Sequence, residues 1–150
     1  MRHGFTILEL AGVLALLAVA GSLSFPVGWS VRERLSVVGA REELVGLITR
    51  ARGEALRHGG SRLIVIRDPA EIRIEAGGEI LHRVDIRATW GTELVLSGGR
   101  PSFELRFDAS GLGRMAARSV TLTRGSAVAR LIISAYGRIR LERYGEGRVG

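Results

Sequence analysis

Cysteine is absent from this 150-residue chain, so no disulfide can staple it and no thiolate can hold a metal. Any core must hold by packing alone. Lysine is absent as well: all 22 basic residues are arginine, set against 15 acidic residues, for a formal charge of +7. Complete replacement of one cation by the other reads as nucleotide bias in a genome before it reads as adaptation to a ligand. A basic surface still attracts polyanions, nucleic acid and lipid head groups alike, without choosing among them. Histidine is scarce, with His3, His58 and His82 scattered along the chain. Without cysteine beside them they make neither a metal cluster nor a nucleophile–base pair. Ser61, Ser110 and Ser134 have no elbow context, and Asp68, Asp85 and Asp108 read as turn and strand-end residues. Gly111-x-Gly113 is too short and wrongly placed for a phosphate loop. The expectation is a protein that is not an enzyme and uses no cofactor and no metal.

Charge is also missing from one long stretch. From Phe5 to Val31 the single charged side chain is Glu9. A helix of that length is enough to cross a bilayer, which takes ~20 apolar residues. A carboxylate near its start is costly in lipid and so marks a functional position. The polar leader Met1-Arg2-His3-Gly4 suits a secretory signal, but no small-residue cleavage site follows the apolar run. Charge sets orientation weakly, because Arg2 on one side is met by Arg32 and Arg34 on the other. Gly21, Ser22 and Ser24 lead into Pro26, which removes a backbone donor and is expected to weaken the helix there. Trp29 stands where an interfacial aromatic is expected.

Gly4, then Phe5-Thr6, then Glu9, then a hydrophobic helix resembles the class III signal of type IV prepilins and type II secretion pseudopilins. The resemblance implies that a membrane prepilin peptidase cuts between Gly4 and Phe5 and that the new terminal Phe5 is N-methylated. It also implies that Glu9 serves filament assembly, neutralising the terminal amine of a neighbouring subunit. In low dielectric an unpaired carboxylate costs several kcal/mol, much of which pairing recovers. The leader is then cytoplasmic and the remainder is exported.

Beyond the apolar run, Val37, Ala40, Leu44, Ile48, Ala51 and Ala55 recur at three- and four-residue spacing, with charged residues around the rest of the circumference. This spacing predicts an amphipathic helix facing a sheet, ended by a left-handed cap at Gly59-Gly60 near His58. Strands are predicted over 62–67, 71–75, 80–86, 92–96, 102–107, 119–123, 128–134 and 138–144. Turns fall at Asp68-Pro69, Gly77-Gly78, Ser97-Gly98-Gly99 and 111–113. Short strands with glycine turns indicate antiparallel sheets, two of them packed together. Residues 145–150 read as a frayed tail. The domain plan is a leader at 1–4, a transmembrane helix over 5–31, its continuation over 32–60, and a β domain over 61–150. The fold class is α+β and pilin-like: a long N-terminal helix, membrane-crossing in its first half, packed on antiparallel β-sheets.

Three further segments carry a finer resemblance. Ala51-Arg52-Gly53-Glu54-Ala55, Phe107-Asp108-Ala109-Ser110-Gly111 and the strand-Ser-Gly-Arg run from Leu131 to Arg138 are similar to the GspH/FimT-like branch of pseudopilins and minor pilins. That resemblance implies a minor pseudopilin of a type II secretion system, near the tip of a periplasmic pseudopilus. Its partners would be the major and other minor pseudopilins and the prepilin peptidase. It would be a single-pass inner-membrane protein with its C-terminal domain in the periplasm. Gly137-Arg138-Ile139-Arg140 supports an alternative, since it resembles an element linked to DNA binding in minor pilins of natural transformation. On a strand Arg138 and Arg140 share one face with Ile139 inward, and guanidinium groups about 7 Å apart suit phosphates. Arg130 and Arg143 are expected to extend that surface.

Overall fold

The computed structural model describes residues 6–114 and 116–142, leaving the side chains of residues 22–28 outside that description. The chain divides into two compact units, Met1–Arg32 and Glu33–Gly150. Helix α1 (Ile7–His58) begins in the first and ends in the second.

In the first unit the start of α1 follows from local chemistry. The Glu9 N–H donates to the Thr6 hydroxyl at 3.2 Å and to the Thr6 carbonyl at 3.0 Å. Thr6-x-x-Glu9 is thus an N-terminal capping pattern, with a carboxylate beside the positive end of the helix dipole. Residues 6–21 are all exposed, and Ile7, Leu8 and Leu16 show 89%, 84% and 72% of their surface. No helix is long and apolar enough, among the described residues, to cross a membrane. Helix α1 runs on through Pro26 without ending there.

In the second unit the predicted stripe is the packed face of α1: Val37, Ala40, Leu44, Ile48, Ala51 and Ala55 are completely buried, and Leu47 nearly so. Arg57 and His58 fill the last turn, where cations suit the negative end of the dipole, and Gly59 leaves it at φ 76°. Eight strands follow: β1 (Gly60–Ile66), β2 (Glu71–Ala76), β3 (Glu79–Asp85), β4 (Glu93–Leu96), β5 (Ser102–Asp108), β6 (Arg118–Arg124), β7 (Ala127–Ile133) and β8 (Ile139–Glu142). They form two antiparallel four-stranded sheets, ordered β3-β2-β1-β5 and β4-β6-β7-β8. Alternation puts Leu63, Val65, Ile72, Ile74, Leu105 and Phe107 of the first sheet into the core. Val120, Leu122, Leu131 and Ile133 of the second join them in one cluster with the α1 stripe.

Three departures from the predicted elements have physical causes. Ile86 is not the end of a strand but opens a short helix, α2 (Ile86–Trp90). Asp85 caps it by accepting the Ala88 N–H at 2.8 Å, and Gly91 closes it in the left-handed region at φ 61°. Strand β1 begins two residues earlier than expected and stops at Ile66, because Arg67 donates its N–H to the Pro101 carbonyl instead. Strand β8 starts at Ile139, after a turn that consumes Arg138; residues 143–144 of the predicted strand lie outside the described residues.

Side-chain ties fix α1 against the second sheet's hairpin. The Glu33 carboxylate accepts the Ser126 N–H at 3.0 Å and its hydroxyl at 3.2 Å. Any Cβ on Gly125 would overlap that carboxylate. Arg124 donates to Ser36 Oγ at 2.6 Å and to the Trp90 carbonyl. The Trp90 ring itself lies where a side chain on Gly39 would stand.

The outer face of the first sheet is a lattice of ion pairs. Register sets Arg62 opposite Arg106 and Arg73 opposite Arg83, two like-charge pairs. Glutamates bridge each: Glu104 reaches Arg106 at 3.0 Å and Arg62 at 3.7 Å, while Glu71 holds Arg73 and reaches Arg83 at 3.3 Å. A third glutamate, Glu75, reaches Arg62 at 2.8 Å. Hydrogen bonding to Glu71 and to Glu104 raises the Arg73 and Arg106 guanidinium pKa values further, so the lattice stays charged.

Candidate functional site

Gly4 and Phe5, the expected processing site, lie outside the described residues. Glu9 is described and exposed, with its backbone N–H held by Thr6. Its carboxylate stands in the first turn, among apolar side chains that face outward: Ile7, Leu8 and Leu10. In water such a surface is unfavourable at roughly 25 cal/mol for each Å² left exposed, so it calls for a covering partner.

The second cluster forms from three segments far apart in sequence. Arg52, on the last turns of α1, donates through Nη2 to the carbonyl of Gly137, 85 residues away. Its guanidinium carbon lies 5.7 Å from the centre of the Phe107 ring, a cation–π distance. Gly137 sits at φ 76°, and a Cβ there would lie 2.8 Å from Arg52 Nη2 and 3.1 Å from Phe107 Cε1. Glycine is required twice over, by backbone conformation and by space. Gly111, also left-handed at φ 74°, lies against Leu56 and the Arg52 carbonyl. The three segments singled out by resemblance therefore meet at one place, around Arg52. The Arg52 Nε is buried and meets no acceptor among the described residues.

Asp108 organises the neighbouring loop. Its Oδ1 accepts the Ser110 hydroxyl at 2.5 Å and the N–H groups of Ser110 and Leu112 at 2.9 and 3.2 Å, while Oδ2 accepts from Arg114 at 3.1 Å. The Ser110 hydroxyl first, then these backbone donors and Arg114, hold the Asp108 carboxyl below its usual value.

Arg138 and Arg140 are both exposed, and Ile139 between them is half-buried against the core, as the alternation required. Arg138 belongs to the β7–β8 turn, its N–H donating to Ser134 Oγ at 3.0 Å. Arg140 stands on β8 opposite Ile132. Neither guanidinium meets a carboxylate among the described residues. Arg130 does not extend the free basic surface: Glu142 opposite it pairs at 3.4 Å. Arg143 lies outside the described residues. Among the described residues, no group of histidine and acidic side chains could hold a metal ion.

Two contributors escape sequence reasoning. Trp90 gives no signal, because its partner is an absence, the missing side chain of Gly39. The segment around Arg52 is singled out by resemblance, but the contact Arg52 makes is hidden, because its acceptor is a turn 85 residues away.

The chain is 30% identical to the pilin-like protein PilA1 of Thermus thermophilus, over 94% of this chain and 99% of that one. It belongs to the pilin-like proteins. No family model and no solved structure matches it. The long N-terminal helix packed on antiparallel sheets is consistent with a pilin-like fold, and membership points to a structural subunit that assembles with other pilin subunits.

Proposed function

We propose that this pilin-like subunit is a minor pseudopilin of a type II secretion system, built into a short periplasmic filament near its tip. A prepilin peptidase removes residues 1–4, Phe5 is methylated, and the apolar part of α1 waits in the inner membrane with the β-bearing unit in the periplasm. Assembly then covers that apolar surface with the helices of the major and other minor pseudopilins. The observation that carries this reading is the outward-facing apolar start of α1 with one carboxylate, Glu9, in its first turn. A carboxylate in that position is tolerated among packed helices when it meets a cation, and the trimmed amine of a neighbour supplies one. Mass spectrometry after co-expression with a prepilin peptidase tests the first step: a chain beginning at Phe5 is expected, and an intact Met1 start overturns the proposal.

A second reading, a minor pilin that binds DNA during natural transformation, is favoured by one observation. Arg138 and Arg140 are exposed without acidic partners among the described residues, whereas Arg130 is neutralised. Gel-shift titration of the full chain in detergent separates the two readings. Duplex binding that falls steeply with salt and is lost in Arg138→Gln/Arg140→Gln supports uptake. No shift at low salt removes it.

A further inference from the structure

A recess of about 660 Å³ opens among Arg52, Gly111, Leu112, Ser134, Tyr136 and Arg138. Among the described residues, two guanidinium groups line it and no carboxylate does. The recess beside Trp90 differs, being lined by Glu42 and Glu43 as well as Arg50, and the one beside Gly77 includes Glu75. The rim is apolar: Tyr136 is 74% exposed, Leu112 56%, and Leu56, packed by Gly111, 63%. Ser134 Oγ accepts the Arg138 N–H at 3.0 Å, and the hydroxyl keeps its own proton as a separate donor. The turn carrying Ser134, Tyr136 and Arg138 is closed by Ser134 N–H to Arg138 carbonyl at 2.8 Å and by Gly137 N–H to Ser134 carbonyl at 2.8 Å. Arg52 and Phe107 brace it from below.

We propose that this recess binds an acidic peptide segment of a partner protein, a carboxylate side chain flanked by an aromatic or aliphatic one. Charge complementarity requires the anion. Arg138 offers a charge-assisted hydrogen bond, the Arg52 charge behind it reinforces the field, and the Ser134 hydroxyl supplies a third donor. The apolar rim requires a body beside that anion to cover Leu112 and Tyr136. Because the turn is braced before anything binds, little ordering cost falls on association. A nucleic-acid backbone fits less well. It wants a row of cations on an open polar surface, and Arg140, the next free guanidinium, does not line the recess. The inference holds whichever machine the filament serves.

The test uses the full-length chain in detergent micelles and a fluorescein-labelled peptide, Glu-Phe-Glu-Leu, followed by anisotropy. Saturable binding is expected, about tenfold weaker for the isosteric Gln-Phe-Gln-Leu peptide and about tenfold weaker in Arg138→Gln, the scale of one charge-assisted bond. Leu112→Ser is expected to weaken it about threefold through lost apolar contact. Arg140→Gln, outside the recess, is expected to leave it within about twofold. The proposal is overturned if neither peptide binds saturably at millimolar concentration, if both bind alike, or if Arg140→Gln costs as much as Arg138→Gln. It is equally overturned if a 20-base-pair duplex binds more tightly than the acidic peptide and displaces it, which would make the recess part of a nucleic-acid surface.

Discussion

Alanine placed at Gly39, Gly46 and Gly53 in turn is one chemical change made on one helix in three surroundings. All three glycines lie within α1, where alanine is intrinsically favoured by about 0.8–1 kcal/mol. At Gly46 and Gly53 the space a methyl group would enter is open, with no atom within 4 Å. Each substitution is therefore expected to stabilise the fold by about 0.8–1 kcal/mol. At Gly39 the same methyl falls inside the Trp90 ring. Overpacking against a rigid ring costs about 1–3 kcal/mol, so the net effect after the helix gain runs from about zero to a loss of about 2 kcal/mol. The helix gain is common to both, so the spread between Gly39→Ala and Gly46→Ala is the overpacking cost itself, about 1–3 kcal/mol, read by urea denaturation followed by circular dichroism on the full chain in detergent. The double variant Gly39→Ala/Trp90→Leu should recover part of the loss, because the clash is removed with the ring. If Gly39→Ala stabilises as much as the other two, Trp90 does not lie against the helix and the packing of α2 described above is refuted.

Gly137→Ala forces a left-handed alanine and displaces Arg52 from its carbonyl, and is expected to destabilise by about 3 kcal/mol in the same assay. Arg52→Met should reproduce only the hydrogen-bond share, about 1.5–2 kcal/mol; equal losses in both would mean that backbone conformation contributes nothing. The Asp108 carboxyl titrates lower in the folded chain than in the unfolded one, whose reference value is 3.8. Its contribution is thus fully present above that value and is lost as pH falls through the lower folded one. Asp108→Asn should flatten this part of the acid-denaturation profile, and an unchanged profile would contradict the assigned loop contacts. Glu9→Ala is expected to leave peptidase cleavage intact and to reduce incorporation into filaments, read by cross-linking; normal incorporation refutes the pairing of Glu9 with a neighbour's amine.

What the sequence reveals and what it hides divide along the range of the interactions involved. The α1 stripe from Val37 to Ala55 is readable because helical burial repeats every three or four residues, and each of those positions is buried. Most strand centres are readable from alternation and from glycine turns such as Gly77-Gly78, whose positive φ angles fit the hairpin. The order of strands is not readable, since β1 pairs with β5 across three intervening strands, of which β4 joins the other sheet, and no local pattern encodes that choice. Helix α2 does leave a signal: Asp85 before it and Gly91 after it are helix caps, masked by the alternation of β3 running into Ile86. The meeting of Arg52, Phe107 and Gly137 is hinted at by resemblance alone, because neither period nor propensity brings a helix face to a turn so distant. Arg130 misleads for the opposite reason, its partner Glu142 being decided by register.

The interlocked arginines and glutamates on the outer face of the first sheet bear on how this protein meets heat. Single exposed pairs are worth little at room temperature, but linked arrays gain in relative worth on warming, as the penalty for stripping water from charge declines. The chain also contains no asparagine or glutamine to deamidate and no thiol to oxidise. A subunit so made is suited to long service at high temperature, in an assembly where replacing a worn part means dismantling the structure around it.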